Sequence, residues 1–244
     1  MTDSPLDDLA IITAAAVAEV SVADPAAVLD CVGWPRASAL IAHLGDHFGW
    51  VLATIGAVER PSFVQSAPEV ASIPEWFASE RERFIETLSR MPKSTPCWTL
   101  AGPGTLAFWH RRSTFEVARH VWDLRTAAGR RPLAPLELGT ECYADGVTEH
   151  FDVFLERSRR RLDPLPGTLQ LIANDTEASW LLSPDWSRRE HGAEHGVPDA
   201  VIEGPAGELA LLCWERADAL TRPNLMVSGS TEVVRAFQAA PIHR

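Results

Sequence analysis

Glu116 and His120 stand four residues apart, with Asp123 one turn further on, in the run WHRRSTFEVARHVWDLRTAAG at positions 109 to 129. On a helix that spacing puts all three on one side. A carboxylate and an imidazole so placed can share one metal ion, but they need a third donor from elsewhere. His43, in LIAHLGDHFGW, is the best candidate. Two neutral imidazoles and one carboxylate suit zinc, and iron, nickel or manganese are compatible with the same donors. Three protein ligands leave a coordination position open, the mark of a catalytic rather than a structural metal site.

The neighbours of these residues extend the chemistry. Asp123 is spaced to accept the second ring N–H of a ligating histidine, which would fix its tautomer and raise its basicity. Arg112, four residues before Glu116, reads either as an i,i+4 ion pair or as the holder of a substrate carboxylate. His47, one turn beyond His43, reads first as a base or substrate contact beside the metal, then as a core residue, then as a fourth ligand. Spacing alone is weakly specific, because any helix can carry ExxxH by chance.

The elements that must position these residues are helices. Apolar stripes predict helices over 5–20, 35–59, 74–91, 105–128 and 135–161, with Trp34-Pro35 and Pro74 as starts and Gly129 as a C-terminal cap. His43 and His47 fall on the second helix and the Glu/His/Asp set on the fourth. Residues 61–74 and 96–104 read as loops. The fifth helix ends in RSRRRLDPLP, where a solvated cationic end suits the helix dipole and a phosphate or carboxylate clamp is the lesser reading. After Pro164 the pattern changes to short β-like runs at 168–173, 178–182, 200–203 and 225–228, a helix over 205–216, and a last helix capped by Ser230. The expected fold is therefore α+β: a helical part over 1–162 and a small α+β part over 163–244.

Composition narrows the function classes. The chain has 244 residues and a formal net charge of −11, which argues against nucleic acid or an anionic membrane as the main partner. No apolar run approaches the length of a membrane span, and the acidic start MTDSPLDDLA does not read as a signal peptide. Cys31, Cys97, Cys142 and Cys213 show no CxxC or zinc-finger spacing, so reduced, mostly buried thiols in a cytoplasmic protein are expected. Nine tryptophans against one tyrosine suggest an aromatic-lined pocket.

These residues also carry a resemblance. Trp34, His43, Arg112, Glu116, His120 and Asp123 reproduce a pattern of a tryptophan, an L-x-A-H-L helix and R-x-x-x-E-x-x-x-H-x-x-D that resembles the mycothiol-dependent maleylpyruvate isomerase family. ANDTEASWLL, GPAGELALLCWER and LMVSGSTEVVRAF extend the similarity over nearly the whole chain. The resemblance implies a DinB-like up-down four-helix bundle followed by a small domain like the sterol carrier proteins. It implies zinc on His43, Glu116 and His120, and mycothiol as thiol cofactor or co-substrate; among the tryptophans near the motif, Trp50 and Trp109 are the expected cofactor contacts. It also implies an arginine for the substrate carboxylate, with Arg83, Arg81 and Arg112 as candidates. A metal-bound thiolate would then attack a small electrophile, giving either cis–trans isomerisation or S-transfer. A zinc-hydroxide metallohydrolase and a non-enzymatic ligand-binding or regulatory protein stay open as alternatives, as does a monomer or a homodimer.

Overall fold

α1 (Pro5–Val22) follows from an apolar stripe: Leu9, Ile12, Ala16 and Val20 are all buried. The computed structural model describes residues 5–30, 33–130, 138–189 and 196–243. α1 packs on α3 (Ile73–Ser89) and α4 (Leu106–Ala127), while α2 (Ala37–Ala53) packs on the same two, which makes a four-helix bundle. Its centre is aromatic, with Phe48 of α2 stacked on Phe84 of α3 at 4.7 Å and tilted against Phe77 at 5.6 Å. Gly45 lets α2 and α3 approach closely, because a Cβ there would meet the Trp76 ring at 2.3 Å.

Two local departures from the sequence pattern frame the site. The helix expected over 35–59 stops at Ala53, because the chain turns away to pair: Gly56 N–H donates to Pro96 O, and Trp98 N–H donates to Thr54 O. The stretch expected as a loop at 96–104 is a hairpin of β1 (Pro96–Thr99) and β2 (Gly102–Thr105), antiparallel, tightened by the Thr99 hydroxyl on Gly102 O at 2.8 Å. Four-residue strands holding Pro96 and Pro103 carry almost no period-two signal.

α4 ends as its sequence predicts. Gly129 takes φ +74° and the Arg130 N–H reaches back to Arg125 O at 3.0 Å, a Schellman-type closure. Gly129→Ala is therefore expected to cost about 1 kcal/mol, read as a drop in urea midpoint without a change in slope.

By packing, the chain divides into Met1–Leu138 and Gly139–Arg244. The expected boundary at 162/163 thus falls earlier, since the helical segment after 138 groups with the C-terminal part. That segment is α5 (Thr140–Glu149), a wider π-helical stretch (His150–Leu155), the short α6 (Glu156–Ser158) and a 3₁₀ turn at Arg159–Arg161. α5 packs on α7 (Ala206–Cys213), which explains the grouping. The expected start of this helix, at 135–137, lies outside the described residues.

The second unit is built on a five-stranded sheet in the order β5-β4-β3-β6-β7. β3 (Leu169–Ala173) and β4 (Ser179–Leu182) form the expected hairpin, β6 (Ala200–Gly204) runs parallel to β3, and β7 (Met226–Gly229) closes the other edge. The two-residue β5 (Arg188–Arg189) extends β4 and was not legible in the sequence. α7 packs on β3 and β6, and α8 (Thr231–Ala239) on β6. Ser230 caps α8, its hydroxyl accepting from Val233 N–H. Cys97, Cys142 and Cys213 are thiols; burial pushes the Cys97 and Cys213 thiols above their ordinary range, which keeps them unreactive, and Cys31 lies outside the described residues. No helix among the described residues is long and apolar enough to cross a membrane.

Candidate metal centre

His43, Glu116 and His120 come together between α2 and α4. One ligand atom from each lies within 4.8 Å of the others. Glu116 Oε1 sits 3.0 Å from His43 Nε2 and 3.4 Å from His120 Nε2. Two donors each about 2.1 Å from a tetrahedral ion lie about 3.4 Å apart, so these spacings match a shared ion closely. His120 is completely buried, and its Nδ1 lies 2.8 Å from Asp123 Oδ2. With Nδ1–H donating to Asp123, Nε2 is left as a bare acceptor. That Nε2 is buried and has no hydrogen-bond partner. A buried lone pair aimed at a carboxylate oxygen and another imidazole is costly unless a cation sits among them. The donor set therefore fits a divalent metal.

Glu116 is the electrostatic hub. Its other oxygen, Oε2, accepts from Arg112 Nη2 at 2.8 Å and from Arg119 Nη2 at 2.7 Å. Burial alone would push this carboxyl up, but the Arg119 charge, the His43 contact and the Arg112 charge outweigh it and hold it well below the usual carboxylate range. Glu116 is thus ionised, as a ligand must be. Arg112, expected as either an ion pair or a carboxylate holder, is engaged with Glu116 and only 3% exposed.

The aromatic surround is uneven. Trp34 stacks on His43 at 4.1 Å and meets His120 edge-on at 5.1 Å. Phe63, from the segment after α2, lies nearly parallel to His43 at 6.3 Å. Two clasps hold that segment: Trp50 Nε1–H donates to Pro61 O at 3.0 Å, and Asp46 Oδ1 accepts from the Ser66 N–H and hydroxyl. Trp109, expected as a cofactor contact, has no exposed surface to offer a ligand. Its indole N–H donates to Trp98 O, and its ring forms a wall against His47 and Trp50. Trp50 is 8% exposed and committed to Pro61.

His47 is not one of the three clustered donors. Its Nε2 lies 3.0 Å from the Ser113 hydroxyl, and burial, the largest influence, pushes its pKa down to about 3 despite the opposing pull of Glu116. It is a neutral ring at physiological pH. Arg83 pairs with Glu80 on a half-exposed face of α3, and Arg81 donates to Thr13 Oγ1 and Ala10 O of α1. Neither contact brings those arginines to the donors. Arg119 and Ser113 were missed at the level of sequence, although Arg119 lies three residues after Glu116, on the same helix side.

Asp123→Asn tests the tautomer directly. An amide can donate to Nδ1, which would turn the ring proton onto Nε2. The expected result is a loss of metal affinity of about 10- to 100-fold with little change in fold, measured by competition against a chromophoric chelator.

Residues 6–125 match the family model described as the mycothiol maleylpyruvate isomerase N-terminal domain. A crystal structure of the mycothiol-dependent maleylpyruvate isomerase superposes with a TM-score of 0.63 at 14% identity, covering 92% of this chain and 91% of that one. A structure of a histidine-to-alanine mutant of that isomerase gives the same values. At this identity the superposition establishes a shared fold. No curated protein sequence matches the chain significantly.

Proposed function

We propose that the protein, whose residues 6–125 match the mycothiol maleylpyruvate isomerase N-terminal domain model, is a zinc-dependent enzyme that uses mycothiol against a small electrophile, by cis–trans isomerisation or S-transfer. The observation that carries this reading is the three-donor cluster with the buried, unpartnered His120 Nε2 at its centre. His43, Glu116 and His120 would hold the metal, and a divalent cation there would supply the charge that lowers the pKa of a bound thiol toward the nucleophilic thiolate at neutral pH.

The protein's own residues do the rest. Asp123 holds the His120 tautomer. Trp34 fixes the His43 ring by stacking and keeps water off one side of the donors. Ionised Glu116 lowers the net charge of the loaded site. His47, neutral and bound to Ser113, acts as a hydrogen-bond partner rather than as a cation. Trp34 and Phe63 offer aromatic surface beside His43 for the thiol or the electrophile.

The test is metal uptake followed by thiol binding. The purified chain is expected to take up one zinc per chain, and mycothiol is expected to bind the loaded form at least 10-fold more tightly than the metal-free form. A chain that binds no zinc overturns the metal reading. A zinc-loaded chain indifferent to mycothiol overturns the thiol reading and favours metal-bound hydroxide chemistry.

A further inference from the structure

We propose that Arg119, with Arg112, is a positioning residue that restricts Glu116 to one-oxygen ligation and so keeps a coordination position open for the thiol. This rests on the metal reading above. The two oxygens of Glu116 have divided surroundings. Oε1 faces His43 Nε2 at 3.0 Å and His120 Nε2 at 3.4 Å, while Oε2 takes both guanidinium groups, at 2.8 and 2.7 Å. A carboxylate oxygen has two lone pairs, and those of Oε2 are both directed at cations. Two-oxygen ligation would have to strip at least one charge-assisted bond from a nearly buried arginine, and such bonds are about twice as strong as neutral ones.

The helix makes the arrangement rigid. Arg112 lies four residues before Glu116 and Arg119 three after, so the same α4 backbone that aims Glu116 also aims both clamps. Their side chains are 3% and 12% exposed, and water does not compete effectively for the carboxylate. The second consequence is electronic. Two guanidiniums draw charge from Glu116, which becomes a weaker donor and leaves a bound cation a stronger acid toward an incoming thiol. Both consequences have the same sign: removal of Arg119 weakens thiol binding without removing the three ligands.

The experiment uses the full chain loaded with cobalt(II), whose thiolate adduct has a near-ultraviolet charge-transfer band, and 2-mercaptoethanol as the probe. Wild type, Arg119→Met and Arg119→Lys are compared. All three are expected to bind one cobalt per chain. The thiol concentration at half-maximal band intensity is expected to rise about 10-fold or more in Arg119→Met and to be partly restored in Arg119→Lys, which keeps one cationic donor. Methionine matches the length of the arginine stem, and circular dichroism checks that both variants fold. Equal thiol midpoints in wild type and Arg119→Met overturn the clamp while leaving the metal site standing. Loss of cobalt binding in Arg119→Met assigns Arg119 to holding the ligand itself and also overturns it. A wild-type chain that takes up no cobalt overturns the metal reading, and the clamp with it.

Discussion

Glu116→Ala is expected to destabilise even the metal-free protein by about 3–5 kcal/mol, because it removes the carboxylate shared by two nearly buried guanidinium groups. The same substitution removes one of the three candidate metal donors and, on the proposed reading, should abolish stoichiometric zinc uptake. The two effects separate by comparison. His120→Ala deletes a donor that carries no charge in its neutral form, so it should lose zinc equally while costing the metal-free chain less. Glu116→Gln keeps the shape and one acceptor oxygen, and should fall between wild type and Glu116→Ala in stability. Urea unfolding of the metal-free forms, with zinc titration of each, reads both outcomes. A metal-free Glu116→Ala chain as stable as wild type would show that Arg112 and Arg119 do not depend on the carboxylate.

Glu19 is the second large effect, and it lies outside the candidate site. This carboxylate on α1 is 6% exposed and accepts from Arg125 Nε at 2.6 Å and from Arg130, tying α1 to the end of α4. Burial pushes its pKa up, but the hydrogen bonds and charges of Arg125 and Arg130 bring it below the ordinary value. The sign follows from linkage. A folded value below the unfolded one means that the contribution is present in full above the unfolded carboxylate range, near pH 4.5, and is lost as pH falls through the depressed folded value. Glu19→Leu leaves Arg125, 9% exposed, without this carboxylate and is expected to cost about 3–5 kcal/mol at pH 7. Stability measured from pH 7 to pH 3 should fall less steeply in Glu19→Leu than in wild type. Parallel curves would rule out Glu19 as a source of the acid sensitivity.

Much of the bundle was legible because it depends on local periodicity. Leu9, Ile12, Ala16 and Val20 mark the inner side of α1, and Leu40, Leu44, Phe48 and Val51 that of α2, all buried as their spacing predicts. Four of the C-terminal strands, β3, β4, β6 and β7, were also readable, since each carries its own β pattern. What escaped were elements whose identity comes from a distant partner. β1 and β2 hold too few residues to show a period and exist because each pairs with the other. α2 stops at Ala53 because the following backbone pairs with the β1 strand, a competition invisible within the helix sequence. The segment after Gly139 looks like a fifth bundle helix, yet it packs on α7.

The candidate site divides along the same line. Sequence by itself determined the relation among Arg112, Glu116, His120 and Asp123, because helix hydrogen bonds set distances between residues three and four apart whatever surrounds them. It also determined that His43 and His47 share one side of another helix. Only the tertiary structure decided that His43 meets Glu116 while His47 turns to Ser113. It alone decided that Trp34 stacks on His43 whereas Trp109 is sealed in the core. It also set which Glu116 oxygen faces the imidazoles. Those choices depend on how far apart α2 and α4 pack and at what rotation, which is fixed by side-chain volumes spread over the whole bundle and by no short stretch of it.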